Sequence, residues 1–595
     1  MDYTRIRYMK EWVSQLPPGN ISYKTINGKR YPYYQWTENG KQHSRIVKAY
    51  ECDELSEKIE QRKVLEKKIR EAPEISIAPE ILDDNFYFSM VKTGQELIEF
   101  AEPVNKYKKR ECYKYLKEYV YGEPNDRVFV LYGLRRTGKT TLIRQLIGEM
   151  DEDMAAKTAF MQVVSGMDLA KINIDIHQLK KQGYKYLFID EVTLMDDFIE
   201  SAAIFPDVYA TGGMKIVLSG TDSLGFVFSE DRELYDRCFM LHTTFVPYRE
   251  FEGVLGIGGI DQYIKFGGTM SRGGIDYNHS GMTFATVKSA EEYVDSAIAS
   301  NIQHSLKNYG NGEHFRNLFE LYEAKELTGA INRIVEDINH RFTIEVLTRD
   351  FFSNDLELSA KNLIKDRKDP DGILYNVDRE VINNKLKDML EIRNLPEQKV
   401  KINDAHIREI KEYLDMLDLT VDLTTMYLEG LRRIKHTAVT QPGLRYAQAE
   451  ALVKALMEDD IFSSLSLTDR NKITKRVMSD IMGRMMEEIV LLETQFAYPE
   501  KEVFKLVFAA GEFDMVIFDP DKASCSIYEI KHSREMVKDQ YRHLTDEDKC
   551  KAAEFRFGEI TEKAVIYRGD PGEQEGIVYL NVEEYLKSLA NRNLP

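Results

Sequence analysis

The chain has 595 residues, too many for a single hydrophobic core, so roughly three to five domains are expected. Its 43% apolar and 30% charged residues fit a folded protein rather than a disordered or fibrous one. A formal charge of −18 excludes a surface coated throughout in nucleic acid but leaves room for a local basic site. There is no apolar run of the ~18 residues that a spanning helix needs, and Met1-Asp2-Tyr3-Thr4-Arg5 is no signal-peptide core. The five cysteines lack C-x-x-C spacing, which argues against structural zinc and fits a reducing cytoplasm with no membrane partner.

Residues 1–75 form the first expected unit. In 1–50, nine basic residues, among them Lys24, Arg30 and Arg45, face three acidic ones. Both tryptophans, Trp12 and Trp36, lie there. The pairs Asn27-Gly28 and Asn39-Gly40 are hairpin-turn signals that divide three strand-like runs, 21–26, 31–37 and 42–50. A charged helix over 51–72 would back this sheet. The shape is similar to the arm-binding domains of phage integrases. It fits a DNA groove; the alternative is an aromatic protein-contact module with a solvated basic face. The prolines at 73 and 79 then mark a linker, and helical periodicity returns over 104–119.

The region 100–255 carries the sharpest signal. The apolar run Val128–Tyr132 leads into Gly133-Leu134-Arg135-Arg136-Thr137-Gly138-Lys139-Thr140, and an amphipathic helix follows. That is G-x-x-x-x-G-K-T with a strand before it and a helix after it. Gly133 and Gly138 let backbone N–H groups curl toward a polyphosphate, and the helix N-terminus adds a positive dipole end. Lys139 is the β/γ-phosphate ligand, and Thr140 is a candidate Mg2+ ligand. Arg136, Thr137 and Thr141 complete the predicted nucleotide contacts. After a second strand over 159–164, the apolar run ending Phe188-Ile189-Asp190-Glu191 reads as a Walker B strand. Asp190 would hold Mg2+, and Glu191 would orient and deprotonate water. A further strand, 215–219, ends in polar residues. Ser219 or Thr221 would sense the γ-phosphate there, or simply cap the strand end. Alternating strands and helices imply a parallel sheet with ATP at the carboxyl ends of its strands.

Downstream, 256–400 reads as a helical lid or insertion, with a glycine-rich loop over 267–281 and helices near 290–308, 314–338 and 377–392. Residues 401–470 read as a small helical domain. In 471–595 a helix over 475–494 precedes two strands, 512–518 and 525–531, joined by the turn Asp519-Pro520-Asp521-Lys522. A hairpin centred after Asp521 puts Phe518 opposite Cys525 and Asp514 opposite Glu529, with Lys531 on the same face. Two carboxylates and an ammonium on otherwise apolar strands must hold a metal or pair with one another.

These segments together resemble the prokaryotic AAA+/STAND-related P-loop ATPases with a C-terminal PD-(D/E)xK nuclease-like domain. The motifs that carry the resemblance are G-L-R-R-T-G-K-T-T, F-I-D-E-V, V-L-S-G-T-D-S, L-Y-D-R, V-P-Y-R-E-F and the Y-x-x-x-G-G-like segment 263–268. It implies a winged helix in 401–470 and a restriction-endonuclease-like α/β domain over 471–595. Asp514 and Glu529 would be metal ligands there, Lys531 would position the nucleophile, and Glu487 of Gly483-Arg484-Met485-Met486-Glu487 would complete the site, with Glu488 as runner-up. Gln540 resembles another family position. Arg237 is the arginine-finger candidate, although the family usually has Gly-Arg where this chain has Asp236-Arg237. The fold class expected is α/β multidomain: a small β-rich N-terminal domain, a parallel-sheet ATPase core, a helical or winged-helix middle and the nuclease-like end. The function expected is an ATP- and Mg2+-dependent ATPase coupled to a domain that acts on or docks to DNA, as a homo-oligomer or with a partner protein. The alternative is a nucleotide-controlled switch with an inactive nuclease-like domain. A nucleotide kinase is disfavoured, because kinases need an arginine-rich acceptor lid.

Overall fold

The structure is a computed structural model. It describes residues 17–26, 29–38, 41–47, a few helical positions between 55 and 63, 87–164, 166–195, 198, 202–221, 226, 234–269, 294–299, 302, 306, 315–352, 400–459 and 465–589. The Asn-Gly turns of the N-terminal module, most of the helix expected over 51–72, the 73–79 linker, most of the glycine-rich loop and the helix expected over 377–392 lie outside these residues. The chain falls into two compact units, Met1–Phe86 and Tyr87–Pro595.

The first unit is an antiparallel sheet of β1 (Asn20–Ile26), β2 (Lys29–Glu38) and β3 (Lys41–Ile46), with β2 central. Alternation sends Tyr34 and Trp36 to one face, where their rings stack at 4.8 Å and Tyr34 is buried with Val47 and Ile59. His43, opposite Trp36 in the register, extends the stack at 5.3 Å.

In the second unit, a six-stranded sheet runs β4-β6-β7-β8-β5-β9. Its strands are β4 (Met90–Lys92), β5 (Val128–Tyr132), β6 (Thr158–Gln162), β7 (Tyr186–Asp190), β8 (Lys215–Gly220) and β9 (Cys238–His242). All pairs are parallel except β4 with β6. Fully buried runs such as Val-Phe-Val-Leu in β5 reflect coverage on both faces. Because β8 lies between β5 and β7, its end opens between the P-loop and the Walker B acids. The short edge strand β4 carries no strong periodicity. It is held by Asp175 in the helix Leu169–Lys181, whose carboxylate accepts Phe88 N–H (2.8 Å), Ser89 N–H (2.7 Å) and Ser89 Oγ–H (2.6 Å).

The second sheet has eight strands in the order β11-β10-β12-β13-β14-β15-β17-β16. They are β10 (Thr420–Tyr427), β11 (Arg432–Val439), β12 (Glu502–Val507), β13 (Glu512–Asp519), β14 (Ser524–Lys531), β15 (Glu559–Tyr567), β16 (Gly572–Gln574) and β17 (Ile577–Asn581). The expectation of a separate helical or winged-helix domain over 401–470 is corrected here. The helices Asp404–Met416 and Pro442–Glu458 flank the β10–β11 hairpin, and β10 pairs in parallel with β12, so the hairpin extends the C-terminal sheet. The physical reason is nonlocal: on β10, Leu423 is buried in a core shared with the helix Leu467–Ala497 and Met426 in one shared with Phe504 and Leu506 of β12. The boundaries expected after 255, 400 and 470 likewise do not separate compact units. Tyr248, Phe251 and Tyr263 share one core with Met485, Ile489 and Leu492 of the 31-residue helix Leu467–Ala497. Leu134 of the P-loop packs with Ile331, Tyr413 and Leu414 from the helical layer. Among the described residues no helix is long and apolar enough to cross a membrane.

Candidate nucleotide site and C-terminal carboxylate–lysine cluster

The P-loop leaves β5 with Gly133 at φ 136°, Arg136 at φ 66° and Gly138 at φ 97°. A side chain at Gly133 would meet the Thr243 carbonyl oxygen at 2.4 Å, so only glycine fits this approach. Gly138 opens the helix Lys139–Ile147 as its cap. The loop borders a cavity of about 460 Å3 lined by Arg135, Arg136, Gly138, Lys139, Thr140, Thr141, Glu191 and Thr221. Lys139 Nζ donates to the Gly133 and Leu134 carbonyls, each at 2.8 Å. Burial pushes its ammonium down to about 8, against the pull of Glu191 and Asp190. Thr140 Oγ–H donates to Asp190 at 2.8 Å, so hydroxyl and carboxylate meet beside the cavity. Glu191 stands in the left-handed region at φ 57°, which turns its carboxylate off the end of β7 toward Thr221 Oγ–H at 3.1 Å. Burial, then the Asp190 charge, push the Glu191 carboxyl up.

Of the predicted nucleotide contacts, Thr137 is turned inward, with its hydroxyl 2.8 Å from the Leu134 carbonyl and 2.9 Å from Thr243 Oγ. Ser219 is fully buried and its hydroxyl has no hydrogen-bond partner among the described residues, so of the two residues weighed at this strand end Thr221 faces the cavity. Arg135, which the sequence reading passed over, lines it. Arg237 is corrected as a contact to this chain's own nucleotide. Its carbonyl accepts the Val128 N–H at 3.0 Å, which puts it at the amino ends of β5 and β9. At ~3.3 Å per residue, that is roughly 16 Å from the P-loop end of the sheet. Its guanidinium pairs with Asp207 at 3.1 Å.

In the C-terminal sheet, β13 and β14 pair with Phe518 opposite Cys525 and Met515 opposite Tyr528, the register expected from the turn. Asp514, Glu529 and Lys531 meet there. Lys531 Nζ lies 2.7 Å from Asp514 and 2.6 Å from Glu529, both carboxylates buried. Burial opposes the Asp514 charge, but Lys531, Lys505 and the Ile530 N–H (2.9 Å) hold it well below the usual carboxylate range. Burial, then Asp514, push Glu529 well above it, and the Glu529 Oε1 atom has no hydrogen-bond partner. Glu487 turns to Arg484 at 2.6 Å and Lys505 at 3.7 Å. Burial and the Asp514 charge raise it as well. The runner-up Glu488 is committed elsewhere, to Arg445 at 2.5 Å. Among the described residues no group of three or more His, Cys, Asp or Glu side chains is placed to hold a metal ion. The three acids expected as a common ligand set are therefore a pair bridged by Lys531, plus Glu487, which faces Arg484 and shares Lys505 with Asp514. Lys505 was missed because one lysine in an apolar strand carries no pattern. A cavity of about 400 Å3 is lined by Lys531, Glu487 and Gln540 together with Phe342 and Glu345 of the helix Leu327–Phe352.

Residues 125–252, holding this P-loop and both Walker acids, match the family model described as an AAA domain. That match supports a P-loop, nucleotide-dependent ATPase core over these residues. Residues 3–57 match a family described as a domain of unknown function, DUF6788. Solved structures similar to the chain include PCH-2 of C. elegans, at 14% identity and a TM-score of 0.18, over 38% of this chain and 59% of that one. This chain thus spans less than two thirds of PCH-2. They also include ORC1 of Aeropyrum pernix in complex with DNA, at 12% identity and a TM-score of 0.21, over 63% of this chain and 99% of that one. No curated protein matches the chain.

Proposed function

We propose that the chain is an ATP-hydrolysing switch of AAA+/STAND type whose nucleotide state governs a PD-(D/E)xK-like C-terminal domain that docks to or acts on DNA. The observation that carries the ATPase half is the convergence of Lys139, the Thr140–Asp190 pair and the Glu191–Thr221 pair on one cavity. Lys139 would give up its two carbonyl partners for β- and γ-phosphate oxygens. Thr140 and Asp190, oxygen donors already in contact, fit Mg2+, which supplies charge neutralisation on the phosphates. Glu191, oriented by Thr221, would hold the attacking water and take its proton. ATP-binding and turnover assays test this half. Lys139→Ala is expected to lose ATP binding, and Glu191→Gln to bind ATP without turnover. Unchanged ATP affinity in Lys139→Ala would remove the P-loop assignment.

For the C-terminal half, Asp514 and Glu529 are hard oxygen donors, and the unpartnered Glu529 Oε1 suits a divalent cation, which would activate water. Lys531 would position the nucleophile. A second reading, in which the domain is a non-cleaving platform controlled by ATP, is favoured by one feature: the Lys531 ammonium already pairs with one oxygen of each carboxylate. Mg2+- or Mn2+-dependent cleavage by wild type, lost in Asp514→Ala with ATPase intact, supports the first. Its absence on duplex, single-stranded and RNA substrates with ATP present supports the second.

A further inference from the structure

Arg110 lies in the segment between the 3-10 turn Glu102–Val104 and the helix Tyr113–Tyr121, in a basic stretch with no motif. It is only 5% exposed, and it makes four hydrogen bonds. Nε donates to Glu250 at 2.6 Å, one Nη donates to the Thr137 carbonyl at 2.9 Å and the Thr244 carbonyl at 3.0 Å, and the other Nη donates to the Phe245 carbonyl at 3.1 Å. A planar fork with a permanent charge meets these diverging acceptors, which a lysine ammonium cannot satisfy together. A second tie binds the same segment to the P-loop helix, where Gln145 Nε2 donates to the Tyr107 carbonyl at 2.9 Å.

The Thr137 carbonyl and the Gly138 N–H belong to one peptide plane. In a trans peptide these two groups point in opposite directions. A donor that holds the Thr137 oxygen outward therefore turns the Gly138 N–H inward, toward the cavity where a phosphate would sit. We propose that Arg110 is a positioning residue for nucleotide binding: it fixes the Thr137–Gly138 peptide so that the loop presents its amide to the β-phosphate, with Glu250 holding the guanidinium in place. Burying an arginine costs desolvation, and the ion pair with Glu250 and the three carbonyls offset it. Glu250 belongs to the helix Tyr248–Leu255, so the same clamp joins the P-loop to the segment that contacts the C-terminal domain.

The inference rests on the ATPase reading above, and steady-state ATP turnover tests it. Arg110→Lys keeps a cation but cannot reach all four acceptors, and Arg110→Met removes the charge. In each, KM for ATP is expected to rise about tenfold or more, the size of one lost charge-assisted hydrogen bond, with kcat changed less. Glu250→Gln, which keeps an acceptor for Nε, should fall between these and wild type. A merely structural defect would instead lower the active fraction, and so kcat, while leaving KM unchanged. If Arg110→Met does not fold, Arg110→Lys decides. A KM within about twofold of wild type in the folded variants overturns the proposal while leaving the ATPase reading intact. A wild type that binds no ATP removes both.

Discussion

Glu493 sits on the helix Leu467–Ala497, yet its partners belong to the ATPase side. One carboxylate oxygen accepts the Tyr248 N–H at 2.7 Å, capping the helix Tyr248–Leu255, and the Tyr263 hydroxyl at 2.9 Å. The side chain is 1% exposed, and its other oxygen has no hydrogen-bond partner among the described residues. Burial pushes its carboxyl up to about 7 from an ordinary 4.5. The Tyr248 N–H, the Arg249 charge and the Tyr263 hydroxyl pull it back, and Glu250 repels it further. The unfolded chain thus binds fewer protons than the folded one between those two values, and stability falls as pH rises through that window. At 1.36 kcal/mol per pH unit, the rise to about 7 corresponds to about 3 kcal/mol, fully present as a cost above the folded value. Glu493→Gln keeps an acceptor for both donors and carries no charge. It should match wild type at about pH 5 and melt several degrees higher at about pH 8. The assay is thermal unfolding of both proteins across that range. A variant-minus-wild-type difference that does not change with pH, or a variant less stable at about pH 8, would refute the reasoning.

Asp175→Ala should strand the Phe88 and Ser89 amides and cost about 3 kcal/mol. Hydrogen exchange would report this as lost protection over β4, with Asp175→Asn milder. Lys531→Ala should strip the buried Asp514–Glu529 pair of its bridging ammonium, at a cost of about 3 kcal/mol. If the pair suits a divalent cation, Mn2+ should restore more thermal stability to this variant than it adds to wild type, and an equal shift in both counts against the site. If the basic N-terminal module binds DNA, affinity should fall steeply with added salt. A protein starting near Pro73 that binds DNA as tightly as the full chain would reject that assignment.

The nucleotide site was legible because its chemistry is local. Gly133, Gly138, Lys139 and Thr140 lie within one loop, and the left-handed backbone at Gly133 and Gly138 is a requirement that few residue types meet. The hairpin holding Asp514, Glu529 and Lys531 was legible for the same reason, since a short turn sets the register of the strands it joins. Nothing local ties the β10–β11 hairpin to the C-terminal sheet, which it joins through the pairing of β10 with β12 far along the chain. Arg237 illustrates the converse, because a motif-like arginine lands at the wrong end of a parallel strand once the sheet is built. Charge compensation was also decided in three dimensions. Hairpin spacing nominates Asp514 and Glu529 and the family resemblance nominates Glu487, but Lys505 and Lys531 arrive from separate strands and set the charge that each acid faces. Arg110 and Glu493 lie outside every motif, and each acquires its role from backbone groups far away in the chain. Residue types and short spacings determined the P-loop, the Walker acids and the carboxylate hairpin. Long-range sheet pairing and burial, which set dielectric and hydrogen-bond partners, decided which of those side chains face a cavity and which serve as buried struts.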